Sequence, residues 1–233
     1  MTEGLVKVNI GSGPDGLSNW ENLDWGMLAF LGKAPLLQKA FVFFGLLPAS
    51  YVKKWPPNLI LHDCKKKLPF KNNSVDFLYT SHFVEHLKRY EAVDFLKDCF
   101  RILKLGGVLR ICVPDIEKIS KKYLAKDVGF FLNFEDQENR DNPPLCITDL
   151  FVKCFYGYDI YLKPSFWGKI KSNFIRGHFW MYDVFSLSQI LKETGFSSIN
   201  KCDYGKGTLP DLKLLDSHKI GSLYLEVKKI NQL

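Results

Sequence analysis

A chain of 233 residues with 46% apolar composition is long enough to bury a sizeable core, and it reads as one domain, 1–233, with room for an inserted cap. Its net charge of +7 comes from scattered lysines, the longest run being Lys65–Lys67, so no nucleic-acid-binding arm stands out and nucleic acid is not an expected partner; the moderate charge suits an anionic small molecule or an anionic membrane face. The six cysteines lack C-x-x-C spacing and sit mostly in apolar runs, and the amino terminus has neither the basic start nor the apolar stretch of a signal peptide, so the expected location is a reducing cytoplasm.

In chain order, Leu5–Ile10, Glu21–Trp25, Asn58–His62, Val75–Thr80 and Gly107–Val113 are short apolar runs of strand type. Between the second and third lies 26–57, longer and greasier than a simple crossover requires. Its most apolar part, Ala40–Val52, is too short to span a bilayer and contains a proline. It reads either as a helix packed on the sheet or as a surface segment which, flanked by Lys39, Lys53 and Lys54, touches the inner face of an anionic membrane peripherally. Tyr90–Lys104 is an amphipathic helix with Val93, Leu96, Cys99, Phe100 and Leu103 on one stripe, and Gly106-Gly107 is expected to stop it. The aromatic stretch 128–179 lacks clean periodicity and is the candidate cap. Asp183 then caps a helix running through Lys192, and Ser197–Asp203 and Gly221–Val227 close the series as strands. The alternation predicts an α/β fold with a mostly parallel central sheet covered by helices on both faces.

The first strand runs into G-S-G-P-D-G, with Gly11, Gly13 and Gly16 in the G-x-G-x-x-G spacing of dinucleotide-binding proteins. That fingerprint requires the third glycine to open a long helix and an acid about 20 residues further on. Here only L-S-N-W separates Gly16 from the next strand, and Asp24 follows far too soon, which argues against hydride transfer. What remains is a glycine turn after one strand and a carboxylate ending the next. That pair suits the ribose hydroxyls of an adenosyl cofactor without phosphates.

At this point the chain resembles the class I S-adenosylmethionine-dependent methyltransferases. V-N-I-G-S-G-P is similar to their first motif, Asp24 to their ribose acid, L-H-D-C-K-K-K-L-P-F and S-V-D-F-L-Y-T-S-H-F-V-E-H-L to their third and fourth motifs, and Phe100–Asp115 to the segment carrying their fifth strand. About half the chain is covered, in the expected order. The resemblance implies a Rossmann-like methyltransferase fold and S-adenosyl-L-methionine as cofactor. It implies that Gly11, Ser12 and Gly13 pass under the methionine part, that Asp24 holds the ribose, that Asp63 and the backbone of Cys64 meet the adenine, and that Trp25 covers a ring face. Asn9 stands where the family usually has an acid, supplying hydrogen bonds but no charge. The acceptor is expected to be a small molecule, with a sugar nucleotide or lipid-linked glycan suggested by analogy with surface-polysaccharide methyltransferases. A non-catalytic nucleotide-binding or scaffold protein of the same fold is the alternative.

His82-Phe-Val-Glu85-His86 also matches H-x-x-E-H, a metalloprotease pattern. The pentad offers no third protein ligand and lies within the methyltransferase-like order, so no metal is expected and Glu85 and His86 are expected to cap and pack the next helix. Ser81 and His82, just past a strand's carboxyl end, stand where open α/β sheets place ligand contacts. If the acceptor is a hydroxyl, His82 is the first candidate base and His178 the second.

Overall fold

The computed structural model describes residues 4–44, 46–47, 52–134, 146–156 and 177–230. Seven strands, β1 (Lys7–Ile10), β2 (Glu21–Asp24), β3 (Leu59–Leu61), β4 (Val75–Ser81), β5 (Leu103–Pro114), β6 (Ser198–Cys202) and β7 (Ser222–Lys228), form one sheet in the order β3-β2-β1-β4-β5-β7-β6. β3, β2, β1, β4 and β5 pair in parallel, while β7 runs antiparallel to both β5 and β6. The helices are α1 (Met27–Gly32), α2 (Pro35–Phe43), α3 (Arg89–Ile102), α4 (Ile116–Leu124), α5 (Val128–Phe134), α6 (Ile147–Tyr156), α7 (Val184–Glu193) and the single turn α8 (Leu212–Leu215). The strand order reverses between β1 and β4, and ligands of open α/β sheets bind outside the carboxyl ends of strands at such a reversal.

Alternation along each strand divides the interior in two. Val8 and Ile10 join Leu78, Ile111 and Leu225 on one face, against Ala92, Leu96 and Cys99 of α3 and Leu187, Ile190 and Leu191 of α7. Each large side chain fully buried there contributes about 1.5–3 kcal/mol. On the other face Trp20, Tyr79, Cys112 and Tyr224 pack on Leu212 and Leu215. Arg110 is also wholly buried, bound to Asp216 (Nε 3.0 Å, Nη2 2.5 Å), Glu226 (3.3 Å) and the carbonyls of Asp203 and Lys206. A third, smaller core joins Ile119 of α4 to Phe130 and Phe131 of α5 and to Leu150 and Cys154 of α6. These helices fall between β5 and α7, where the cap is expected; 135–145 and 157–176 of that stretch lie outside the described residues.

Two local expectations change. The helix ends at Ile102 and β5 starts at the next residue, so Gly106 and Gly107 do not stop the helix. They sit in an irregularity of the ladder, where the register jumps from Val75–Leu103 to Phe77–Val108, and the Lys229 ammonium takes up the carbonyls of Phe100 and Leu103 at the helix end. The segment 26–57 carries two short helices, α1 and α2, where the packed reading has one. Gln38 is the only fully buried residue of α2, and Leu36, Leu37, Phe43 and Phe44 are exposed; Gly45 and 48–51 lie outside the described residues. Asp183 does cap α7, accepting the Ser186 N–H at 2.7 Å.

Candidate active site

The carboxyl ends of β1 and β2 are tied into one unit. Gly11 and Gly13 have φ of +68° and +56°, a region that costs an L side chain roughly 1–2 kcal/mol, and the turn they form hands the Gly11 and Ser12 N–H groups to the Leu23 carbonyl. Asp24 then receives Gly13 N–H on Oδ2 at 2.7 Å and Trp25 N–H on Oδ1 at 2.6 Å. An ionised carboxylate has about four lone-pair sites, so two remain for outside donors. Burial pushes the Asp24 carboxyl above its ordinary value, against those two N–H groups, which hold it down.

The turn has one packed side and one open side. A Cβ on Gly11 would come within 3.0 Å of Phe83, which packs from the end of β4, whereas one on Gly13 would meet nothing within 4 Å. Trp25 stands 59% exposed next to Asp24, leaving its ring free to cover a flat ligand. Ser12, half-buried, turns its hydroxyl to the Gly13 carbonyl. Asn9 is buried on β1, opposite in direction to Val8 and Ile10 and level with Asn22 and Tyr79. At the end of β3, Asp63 accepts the Lys65 N–H at 3.2 Å, making a turn in which Cys64 is buried. Burial first, then the Asp24 charge, pushes the Cys64 thiol up to about 12, so it remains a neutral packing group. An open glycine turn, an anchored carboxylate with spare lone pairs and an exposed indole beside it fit an adenosyl group.

The end of β4 carries the second half of the site. Ser81 closes the strand opposite Cys112, and His82 follows at φ +50°, uncommon for a residue with a Cβ and characteristic of functional turns. The His82 Nε2 lies 3.0 Å from Ser222 Oγ, its Nδ1 lies 3.2 Å from Glu85 Oε1, and its ring tilts over His218 at 4.0 Å. Ser222 and His218 are here because β7 runs antiparallel, which sets its first residue against Pro114 at the carboxyl end of β5. Glu85 and His86 do not cap α3; Glu91 does, accepting the Lys88 N–H at 2.8 Å. Glu85 is instead completely buried, and its backbone carbonyl accepts the N–H groups of Phe179 and Trp180. That pairing brings His178 to His86, with ring centroids 4.9 Å apart. His178 donates from Nδ1 to the Cys154 carbonyl at 2.9 Å, and burial holds its pKa below the ordinary histidine value. Burial would raise the Glu85 carboxyl, but the rings of His82, His86 and His178 outweigh it and hold it low.

Residues 48–111, running from the approach to β3 into β5, match the family profile described as "Methyltransferase domain". Over those residues the chain is similar to a methyltransferase domain. The glycine turn, Asp24 and Trp25 are the groups whose geometry fits S-adenosylmethionine. No curated protein sequence matches the chain. Solved structures similar to it include the Haloferax volcanii complex of the Trm112 methyltransferase activator with a methyltransferase (13% identity, 100% of this chain and 85% of the other, TM-score 0.48). Others are S-adenosylmethionine-dependent methyltransferases from Archaeoglobus fulgidus (14%, 97% and 87%, 0.46) and Thermotoga maritima (13%, 98% and 84%, 0.46).

Proposed function

We propose that this methyltransferase domain methylates a small-molecule acceptor that enters between the glycine turn and the histidine cluster following β4. The observation that carries the reading is the hydrogen-bonded unit of Gly13, Asp24 and Trp25 at the reversal of strand order, with Ser81 and His82 ending the adjacent strand. When bound, S-adenosylmethionine supplies a sulfonium methyl already activated for in-line displacement, so the protein's part is to position and desolvate the nucleophile. Asp24 fixes the ribose and thereby the cofactor's register along the sheet edge; Asn9 and Ser12 offer hydrogen bonds to its amino-acid end. Of the two candidate bases, His82 has partners on both ring nitrogens, and His178 is held through Nδ1 among the contacts described.

Mass spectrometry of the protein as purified, followed by calorimetry with S-adenosylmethionine and its demethylated product, tests this reading. Saturable binding that Asp24→Ala weakens supports it; a folded parent with no affinity for either compound overturns it.

The surface reading of 26–57 belongs to the same proposal. Leu36, Phe43 and Phe44 are 81%, 84% and 69% exposed, and Lys39, Lys53 and Lys54, which flank this stretch in sequence, are exposed as well. Apolar side chains framed by cations suit the interface of an anionic bilayer, and contact there lets the site reach an acceptor held on a lipid carrier. Among the described residues no helix is long and apolar enough to cross a membrane. Co-sedimentation with anionic vesicles should fall in Phe43→Ser/Phe44→Ser and in Lys53→Glu/Lys54→Glu; a parent that stays in solution at low salt refutes the membrane contact.

A further inference from the structure

We propose that Glu85, His86 and His178 bind a divalent transition-metal ion, and that this ion takes up a hydroxyl of the acceptor. The inference rests on the methyl-transfer reading only for the acceptor; the metal site stands on its own geometry. One ligand atom from each of the three residues lies within 4.8 Å of the others. Glu85 and His86 come from the sequence pentad, and the fold adds His178, some ninety residues away, in place of His82.

The decisive feature is the Glu85 carboxylate. It is fully buried, and among the described residues its Oε2 has no hydrogen-bond partner. The His82 Nδ1 lies 3.2 Å from Oε1 and pairs with it. Buried carboxylates are ordinarily paired, hydrogen-bonded or bound to metal on both oxygens, and the unmatched Oε2 calls for an ion or a water.

The two imidazoles are set for ligation. The Nδ1 of His86 is 3.3 Å from the Gly177 carbonyl and that of His178 is 2.9 Å from the Cys154 carbonyl. A carbonyl only accepts, so each Nδ1 carries a hydrogen and Nε2 is the nitrogen left to ligate an ion. Metal-binding histidines are held in this way, the second nitrogen donating to a backbone carbonyl and fixing the tautomer. Two imidazoles and one carboxylate suit zinc, cobalt, manganese or iron better than magnesium or calcium, which prefer all-oxygen shells. Three protein ligands leave positions open, and both histidines are only half-buried, so an oxygen from outside has access.

An alcohol, phenol or sugar hydroxyl bound there loses its proton to solvent more readily, because the cation stabilises the oxyanion. That oxygen then forms the O–CH3 bond as the S–CH3 bond breaks, the electron pair of the broken bond passing to sulfur, with no change in the metal's oxidation state. The chemistry assigns the reaction to O-methylation.

The test measures metal alone, without cofactor or acceptor, so that its failure is separable from failure of cofactor binding. Chelator-treated protein is titrated with Co2+ and Zn2+ by calorimetry and by the visible absorption of bound Co2+, with Mg2+ for comparison. One ion per chain is expected, with nitrogen-ligated Co2+ bands, weaker Mg2+ binding, and at least a tenfold loss of affinity in both Glu85→Gln and His178→Gln. Because Glu85 is buried, circular dichroism checks each fold, and the half-exposed His178 provides the variant least prone to misfolding. Cys146→Ser removes an exposed thiol and should leave the affinity unchanged. Absence of stoichiometric binding by the folded parent at millimolar ion, or parental affinity in folded His178→Gln, overturns the site.

Discussion

Replacing Asp24 tests the cofactor assignment at its most exposed point. In the parent, Oδ1 and Oδ2 each hold one backbone N–H, from Trp25 and Gly13, leaving roughly two lone pairs directed at the ligand. A hydrogen bond to a charged group contributes about 1.5–3 kcal/mol, so Asp24→Ala should weaken S-adenosylmethionine about 10- to 150-fold by calorimetry. The strand itself should survive, because the Asp24 carbonyl still accepts the His62 N–H. Asp24→Asn keeps the volume but turns an amide donor towards one of the two backbone N–H groups, so it should also lose affinity. An analogue lacking both ribose hydroxyls isolates the contact, because it should bind parent and Asp24→Ala alike. Since burial raises the carboxyl's pKa, parental affinity should fall with pH as the group protonates, before the ordinary aspartate range is reached, and Asp24→Asn should lack that limb. If Asp24→Ala binds the cofactor as the parent does, or loses the deoxy analogue equally, the carboxylate does not hold the ribose.

Gly13→Ala adds a methyl that touches nothing in the protein but forces a side chain to φ +56°; it should cost about 1–2 kcal/mol of stability, roughly 2–8 °C in Tm, and lose cofactor affinity as well, and parental affinity would place the ligand elsewhere. Arg110→Met leaves the buried carboxylate of Asp216 and that of Glu226 without their cation, for an expected loss of about 3–5 kcal/mol in urea unfolding; a loss under about 1 kcal/mol would mean that the carboxylates find other donors. Asp76, although desolvation opposes it, is held below its ordinary pKa by the Lys104 ammonium and the Val6 N–H. Its contribution is therefore fully present above the unfolded-state value of 3.8 and disappears as pH falls through the lower folded value. Asp76→Asn should accordingly narrow the stability difference from the parent under acid conditions, and a difference independent of pH would refute the pairing.

The strands were legible because each is a short apolar run closed by a turn signal, and period-two alternation divides Val8 and Ile10 from Asn9 without reference to the rest of the chain. The unit of Gly11, Gly13 and Asp24 was legible for the same reason, since both parts fall within one β-turn-β segment whose spacing fixes their approach. The Gly106-Gly107 pair misled because glycines after an amphipathic run suit a helix end and a ladder irregularity equally. Only pairing of β5 with β4 decides between them.

Glu85 marks the limit of local reading. Between two candidate histidines it resembles a helix-capping acid, and nothing nearby in sequence shows that its carboxylate is buried. Its environment is assembled from four places: the left-handed turn at His82, the ring of His86, the return of the chain at 177–180 onto the Glu85 carbonyl, and the Cys154 carbonyl on α6 that fixes the tautomer of His178. Ser222 joins only because β7 reverses direction, which brings the start of that strand, and not its end, to the edge where the parallel strands terminate. A site on parallel strands alone would draw on strand ends, as the cofactor turn does. Around Glu85 one strand start and the return of the chain at 177–180 also contribute, so its chemistry is set by chain reversals that hydrophobic periodicity does not encode.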